Sequence, residues 1–499
     1  MLRSQSEVTN LKSNMLTGAA WNVVARIGQQ VIQFGLSVVL ARLLSPEDFG
    51  TIGMIMVFTG FAGLFVDLGF GSALVQRRDL EERHISTSFL FSILLGALIS
   101  VIFIGTAPLI AQFYDLPILR LLTQALALNF LLIPFGMVPA ALLQREMRFK
   151  QLARIELFSA VTGGAIAITL SFTGWGIWAL AVQSLVVSLI SVALKWRVSG
   201  WRLRLHFDFA ALRDLWGFTI NLFGFNFINY WARNADNLLI GRLLGSASLG
   251  LYSRAYGLML LPISQVISLI SGVMFPALSS IQDDKPRVKR IYLDTIGLLS
   301  LITFPMMIGL LVVSEPFILL VYGERWMGVI VPLRILCMIG LLQSVVNPVG
   351  WIYTSQGQTR WMFWWGIFGA GFLIVSILIG ISFGSVESVA LAYAVGNVII
   401  FYPAIAIPGR LIEMRFSEFL KTIAPQLTAS LLMGLFVAGL VTIVSAYWTS
   451  AVTVSMSFFC GGIVYAVLLY LLKSPSLYRA LDLFGSRIPL RLRRKFRMV

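Results

Sequence analysis

Long apolar stretches separated by short polar connections run along the whole chain. A bilayer core of about 30 Å takes about 20 helical residues to cross. Fourteen stretches come close to or exceed that length: 16–40, 49–75, 86–110, 119–143, 155–172, 176–195, 215–240, 249–277, 291–314, 328–352, 360–383, 386–409, 422–446 and 450–472. None shows the period-2 alternation of a membrane β-strand. The pattern predicts an all-α integral membrane protein of about 14 transmembrane helices. The seventh stretch is the most polar, with Asn221, Asn226, Asn229, Arg233, Asp236 and Asn237.

The first half of the chain repeats in the second. Ala41-Arg42-Leu43-Leu44 returns as Gly241-Arg242-Leu243-Leu244, and Gly50 as Gly250, at offset 200. Pro108 and Tyr114 return as Pro316 and Tyr322 at offset 208; Arg120, Pro134 and Gln144 return as Arg334, Pro348 and Gln358 at offset 214. A repeat of six spans is even, so both copies enter the membrane the same way. That predicts a parallel repeat of two six-helix lobes, 1–200 and 201–410, able to rock about a shared cleft. Two C-terminal helices (411–472) and a basic tail (473–499) lie outside it.

Polar residues inside the spans fall in stripes. Asn22, Arg26, Gln29 and Gln33 share one helical face. Adding 200 gives Leu222, Asn226, Asn229 and Arg233, so the seventh span repeats the stripe at three of four places. A charge near the bilayer centre costs at least about 2.5 kcal/mol, so both stripes should face protein or water. Counting residues from the inner ends puts Arg26 and Asp67 at similar depth, which suggests an ion pair or a shared water site. Arg233, Asp236 and Arg254 group in the outer half of the second copy. Helix-to-helix bonding is an equal reading of the amides. Snorkelling is the better reading of Arg120 and Arg334, and helix kinks that of Pro134 and Pro348. The cluster Trp361, Phe363, Trp364 and Trp365 reads as an interfacial belt.

Composition agrees and narrows the function. Of 499 residues, 58% are hydrophobic and 12% charged, with mean hydropathy +0.87. A soluble enzyme carries about twice that charge. The formal charge is +16. Of the 38 Lys and Arg, thirty lie in alternate connections on one side, three (Arg42, Arg242, Arg325) on the other, and five (Arg26, Arg120, Arg233, Arg254, Arg334) within spans. The positive-inside rule then places both termini in the cytoplasm. The polar start, 1–15, and the long first stretch do not fit a cleavable signal. The longest outer connection, about 315–327, is too short for a catalytic domain, so no enzyme and no cofactor are expected. The basic tail suits anionic lipid better than nucleic acid. Cys337 and Cys460 lie in apolar blocks and offer neither a disulfide framework nor a metal site. His84 and His206 lie in basic connections and read as solvated.

The runs Ala41-Arg42-Leu43-Leu44-Ser45-Pro46-Glu47-Asp48-Phe49-Gly50, Asp67-Leu68-Gly69-Phe70-Gly71 and Leu249-Gly250-Leu251-Tyr252-Ser253-Arg254-Ala255 resemble the Wzx-type polysaccharide-unit flippases. These belong to the multidrug/oligosaccharidyl-lipid/polysaccharide exporter superfamily, and the resemblance lies closest to the colanic-acid and teichuronic-acid exporter subgroup. It implies two six-helix lobes, a cationic cavity and alternating access. It also implies carriage of an undecaprenyl-pyrophosphate-linked oligosaccharide across the bacterial inner membrane. Arg26, Arg233 and Arg254 are then the residues to hold the pyrophosphate, beside Asn22, Gln29, Gln33, Asn226 and Asn229. Asp67 and Asp236 could couple transport to protons or sodium. The implied partners are the lipid-linked oligosaccharide, membrane lipids and other polysaccharide assembly proteins. A multidrug exporter of the same superfamily is the alternative, disfavoured by arginines that outnumber acids within the spans.

Overall fold

The computed structural model describes residues 28–484 apart from 205 and 446. Among these residues every regular element is helical. Twelve helices are long and apolar enough to cross a membrane. The difference from fourteen arises at two places. Nearly half of the first predicted span (16–27) lies outside the described residues, and the seventh and eighth follow one another without a connection, as two helices that meet at the non-helical Gly245 within the stretch Phe209–Ser279. The chain divides into two compact units, Met1–Gly250 and Leu251–Val499.

The first unit holds α1 (28–43), α2 (Pro46–Asp67), α3 (Phe70–Gln76), α4 (Glu82–Tyr114), α5 (Ile118–Arg145), α6 (Phe149–Phe172), α7 (Trp178–Ser199) and the first part of α8 (Phe209–Ser279). Ser45 starts α2 by a reciprocal cap: Asp48 N donates to Ser45 Oγ (3.2 Å), and Ser45 N to Asp48 Oδ2 (2.9 Å). Pro46 takes the first helical position, where its missing N–H is no loss. The predicted second span is broken after Asp67, because Leu68 and Gly69 both adopt positive φ (45° and 91°).

Polar side chains tie the first-unit helices together. Ser100 Oγ of α4 donates to Ala127 O of α5 (3.0 Å). Asn129 Nδ2 of α5 donates to Ser184 Oγ of α7 (3.1 Å).

The first turn of α2 crosses α8 just beyond Gly245 at main-chain contact. A Cβ on Gly50 would fall inside the van der Waals envelope of Ser246 O, and a Cβ on Gly250 inside that of Pro46 O. These contacts are reciprocal at offset 200. The offset is the one at which the sequence pairs Gly50 with Gly250. Gly245 itself has φ 86° and ψ 175°, a conformation open to glycine alone.

On the side of the α3–α4 turn, the segment leading into α8 is strapped down. Asp214 Oδ2 accepts from Arg77 Nη2 (3.1 Å) and meets His84 Nε2 (3.3 Å). Asp208 pairs with Arg83 (3.3 Å), and its N–H donates to Thr87 Oγ1 (2.9 Å). Trp201 Nε1 donates to Glu82 Oε1 (3.3 Å). Phe89 meets Trp196 and Trp201 edge-on, with centroids 5.8 and 5.1 Å apart. His84 is therefore not the solvated loop residue expected from its basic neighbours. It sits in the first turn of α4 at 0% exposure. Its Nδ1 accepts the Glu81 N–H (3.2 Å), so Nε2 carries the proton that faces Asp214. His206 is exposed.

The second unit holds the rest of α8, α9 (Lys285–Val312), α10 (Ser314–Val321), a 3₁₀ turn (Glu324–Val329), α11 (Ile330–Val346), α12 (Gly350–Ser355), α13 (Thr359–Ile381), α14 (Val386–Leu411), α15 (Phe416–Val444), α16 (Ser450–Leu471) and α17 (Pro475–Phe484). Pro348 lies in a short 3₁₀ piece between α11 and α12. Helix α9 packs against α11 and α15, and α16 packs on α15. Thr303 Oγ1 donates to Ser344 Oγ (3.1 Å), and Tyr465 OH to Leu301 O (3.0 Å). Gln343, the offset-214 equivalent of Asn129, donates to Tyr393 OH (2.8 Å). Each repeat thus joins its fourth span to its sixth through an amide and a hydroxyl. The connection near 315–327 is folded, with Trp326 fully buried. Arg334 Nε donates to Ser314 Oγ there (2.7 Å).

Two predictions follow from these contacts. Gly50→Val and Gly250→Val should each cost about 1–3 kcal/mol by overpacking. Their melting temperature in detergent should fall, while Gly257→Ala, beside open space, should leave it unchanged. Unaltered melting of both valine variants would contradict the crossing. The second concerns the strap. The His84 hydrogen bond, then Arg77, holds Asp214 below the usual carboxylate range; the Ala210 N–H, with help from Arg83, does so for Asp208. Their stabilisation is complete above the unfolded value of about 3.9. It fades as pH falls through the lower folded value. Below about pH 4, wild-type melting temperature should drop more steeply than that of Asp208→Asn/Asp214→Asn.

Candidate functional site

The seventh span is held to α2 by rings. Phe61 and Phe65, one helical turn apart, meet a row on α8. Phe61 lies 5.3 Å from Phe227 and 5.0 Å from Trp231, and Phe65 lies 4.9 Å from Phe223. Tyr230 OH donates to Val57 O (2.6 Å), over Gly60, where a larger residue would collide with the phenol. These aromatics occupy one side of α8. At 100° per residue, Asn226, Asn229 and Arg233 fall roughly a quarter-turn round the same helix.

The rings were not singled out from the sequence. Their signal is the four-residue spacing of Phe61 with Phe65 and of Phe223, Phe227 and Trp231.

Beside the rings the polar stripe stays open. Asn229 and Arg233 are exposed and Asn226 is half-buried. On α1, Gln33 is exposed and Gln29 half-buried; Asn22 and Arg26 lie outside the described residues. An exposed arginine among spanning residues is costly against hydrocarbon. Amides donate and accept, and a guanidinium offers five N–H donors. Such a face can bind hydroxyls and phosphate oxygens, which need both kinds of partner.

The acids are arranged differently. Asp67 is exposed at the end of α2, and its Oδ1 accepts from Gly71 N (3.4 Å) across the break into α3. The expected partner, Arg26, lies outside the described residues. Asp236 is half-buried and accepts from Asn237 N (2.8 Å). Arg254 belongs to the second unit, where its guanidinium carbon lies 5.3 Å from the ring centroids of both Tyr322 and Trp326. Trp361 and Trp364, at the start of α13, are exposed.

The chain is 28% identical to the teichuronic acid biosynthesis protein TuaB of Bacillus subtilis, over 86% of this chain and 89% of that protein. It is 29% identical to the lipopolysaccharide biosynthesis protein WzxC of Escherichia coli, over 78% and 80%. It is 26% identical to the succinoglycan biosynthesis transport protein ExoT of Rhizobium meliloti, over 94% and 95%. The fold is that of the lipid II flippase MurJ in an inward closed conformation (TM-score 0.71, 16% identity, covering 92% of this chain and 99% of that one). Residues 39–331, more than half of the chain, match the polysaccharide biosynthesis protein family, and this multi-pass membrane protein belongs to that family.

Proposed function

We propose that the protein is a flippase that moves an undecaprenyl-pyrophosphate-linked oligosaccharide from the inner to the outer leaflet of the bacterial inner membrane, without itself catalysing a covalent step. The observation that carries this reading is the open stripe Asn226–Asn229–Arg233 on a membrane helix of a polysaccharide biosynthesis family member. A glycan is too polar for hydrocarbon, while its prenyl chain is at home there. A wet helix face beside lipid lets each part stay in its own solvent.

In this reading Arg233 and Arg26 bind the pyrophosphate, since guanidinium forks match phosphate oxygens in pairs. Asn22, Gln29, Gln33, Asn226 and Asn229 bind the sugar hydroxyls. Asp67 and Asp236 carry a coupling proton or sodium ion. The lopsided distribution of Lys and Arg supports cytoplasmic termini.

The test uses cells whose own copy is deleted and replaced by Arg233→Ala or Asn229→Ala, matched for protein level. Losing a charge-assisted bond costs about 1.5–3 kcal/mol, so Arg233→Ala should cut surface polysaccharide about tenfold or more and pile up the lipid-linked precursor on the inner leaflet. Asn229→Ala should give a milder defect of the same kind. Normal polymer from Arg233→Ala would remove this residue from the path. In proteoliposomes, an imposed proton or sodium gradient should accelerate transfer by wild type and not by Asp67→Asn/Asp236→Asn. Equal acceleration of both would dismiss the two acids as coupling groups.

A further inference from the structure

We infer that Arg254 is a positioning residue, clamped against a pair of adjoining rings to fix α8 to the turn around Gly323 in the second unit, and not a ligand of the substrate headgroup. This rests on the flippase reading above and refines its binding set.

Tyr322 closes α10 and Trp326 lies in the 3₁₀ turn that follows, with Gly323 (φ 86°) bending the chain between them. The two rings are 5.7 Å apart and inclined by 43°. Their exposures are 2% and 0%, so the seat is built from the interior. The guanidinium lies equally close to both, which suits a flat, weakly hydrated cation. One turn earlier on α8, Leu251 fills the space that a side chain at Gly328 would need. Leu251 and Arg254 thus grip the same turn from one helical face.

The repeat shows what this seat is for. Offset 200 makes Met54 the equivalent of Arg254, and offset 208 makes Tyr114 the equivalent of Tyr322. In the first unit those equivalents also touch, Tyr114 OH donating to Met54 O (3.4 Å). Met54 is fully buried and Tyr114 is 5% exposed. The same joint, between the helix after the outer crossing and the tyrosine near the outer end, is made in both copies. The first copy closes it with a hydrogen bond to a main-chain carbonyl, the second with a cation against the rings. A contact that works without charge in its twin is an architectural one.

The experiment uses full-length protein in proteoliposomes holding a defined undecaprenyl-pyrophosphate oligosaccharide, with melting temperature read in detergent without it. Arg254→Met, the residue of its equivalent, should leave apparent KM within about twofold and lower the maximal rate, as loss of positioning does. Trp326→Leu should do the same, and the double variant should add little in either rate or melting, because the partners share one joint. Arg254→Lys, still charged but not planar, should fall between Arg254→Met and wild type in melting. Arg233→Ala is the ligand control and should raise KM about tenfold. If Arg254→Met raises KM as Arg233→Ala does, with melting unchanged, the clamp is overturned and Arg254 is a ligand. If effects of Arg254→Met and Trp326→Leu on melting simply add, the clamp is overturned as well. If wild type fails to transfer the probe, the flippase reading falls, while the melting cycle still decides the clamp.

Discussion

Hydrocarbon offers no hydrogen bond, so each polar group on a spanning helix needs a protein partner or water. Much of the structure follows from that demand. Ser100 finds Ala127 O, Asn129 finds Ser184, Thr303 finds Ser344, and Gln343 finds Tyr393. Each bond answers a polar group and joins two helices. Against this background the stripe of Asn226, Asn229 and Arg233 stands apart, for its outer members are open. The proposed path of a hydrophilic cargo follows this open face.

The seventh span owes its rotational setting to two anchors of different chemistry, and the helix beyond Gly245 is held by a third. Ion pairs to Asp208 and Asp214 hold its base. The rings of Phe61 and Phe65, with the Tyr230 hydroxyl, hold its middle. Main-chain contact at Gly50 and Gly250 holds α8 beyond its bend. A helix so fixed presents one face only, and the face left over carries the amides and the arginine.

Much of this was legible in the sequence, because bilayer thickness dictates span length and duplication leaves equivalents at steady offsets. The reciprocal contact of Gly50 and Gly250 is the strongest instance. The stripe on the seventh span was visible from helical spacing, and two of its members, Asn229 and Arg233, are exposed. Other features depended on partners far away in the chain. His84 sits among basic residues, yet Asp214 and the aromatic lid of Trp196 and Trp201 enclose its neighbourhood from more than a hundred positions on. The segment near 315–327 looked like a plain connection because its burial comes from Trp326 reaching inward. The break after Asp67 was hidden by unbroken hydrophobicity, since it resides in two backbone angles and not in polarity.

The ring seat at Arg254 also bears on what the second unit can tolerate. A guanidinium laid against two interior rings keeps company with π-faces in place of water, so a charge is accommodated in a largely apolar surrounding. Met54, at the corresponding place in the first unit, is buried and uncharged and makes no such demand on the residues around it.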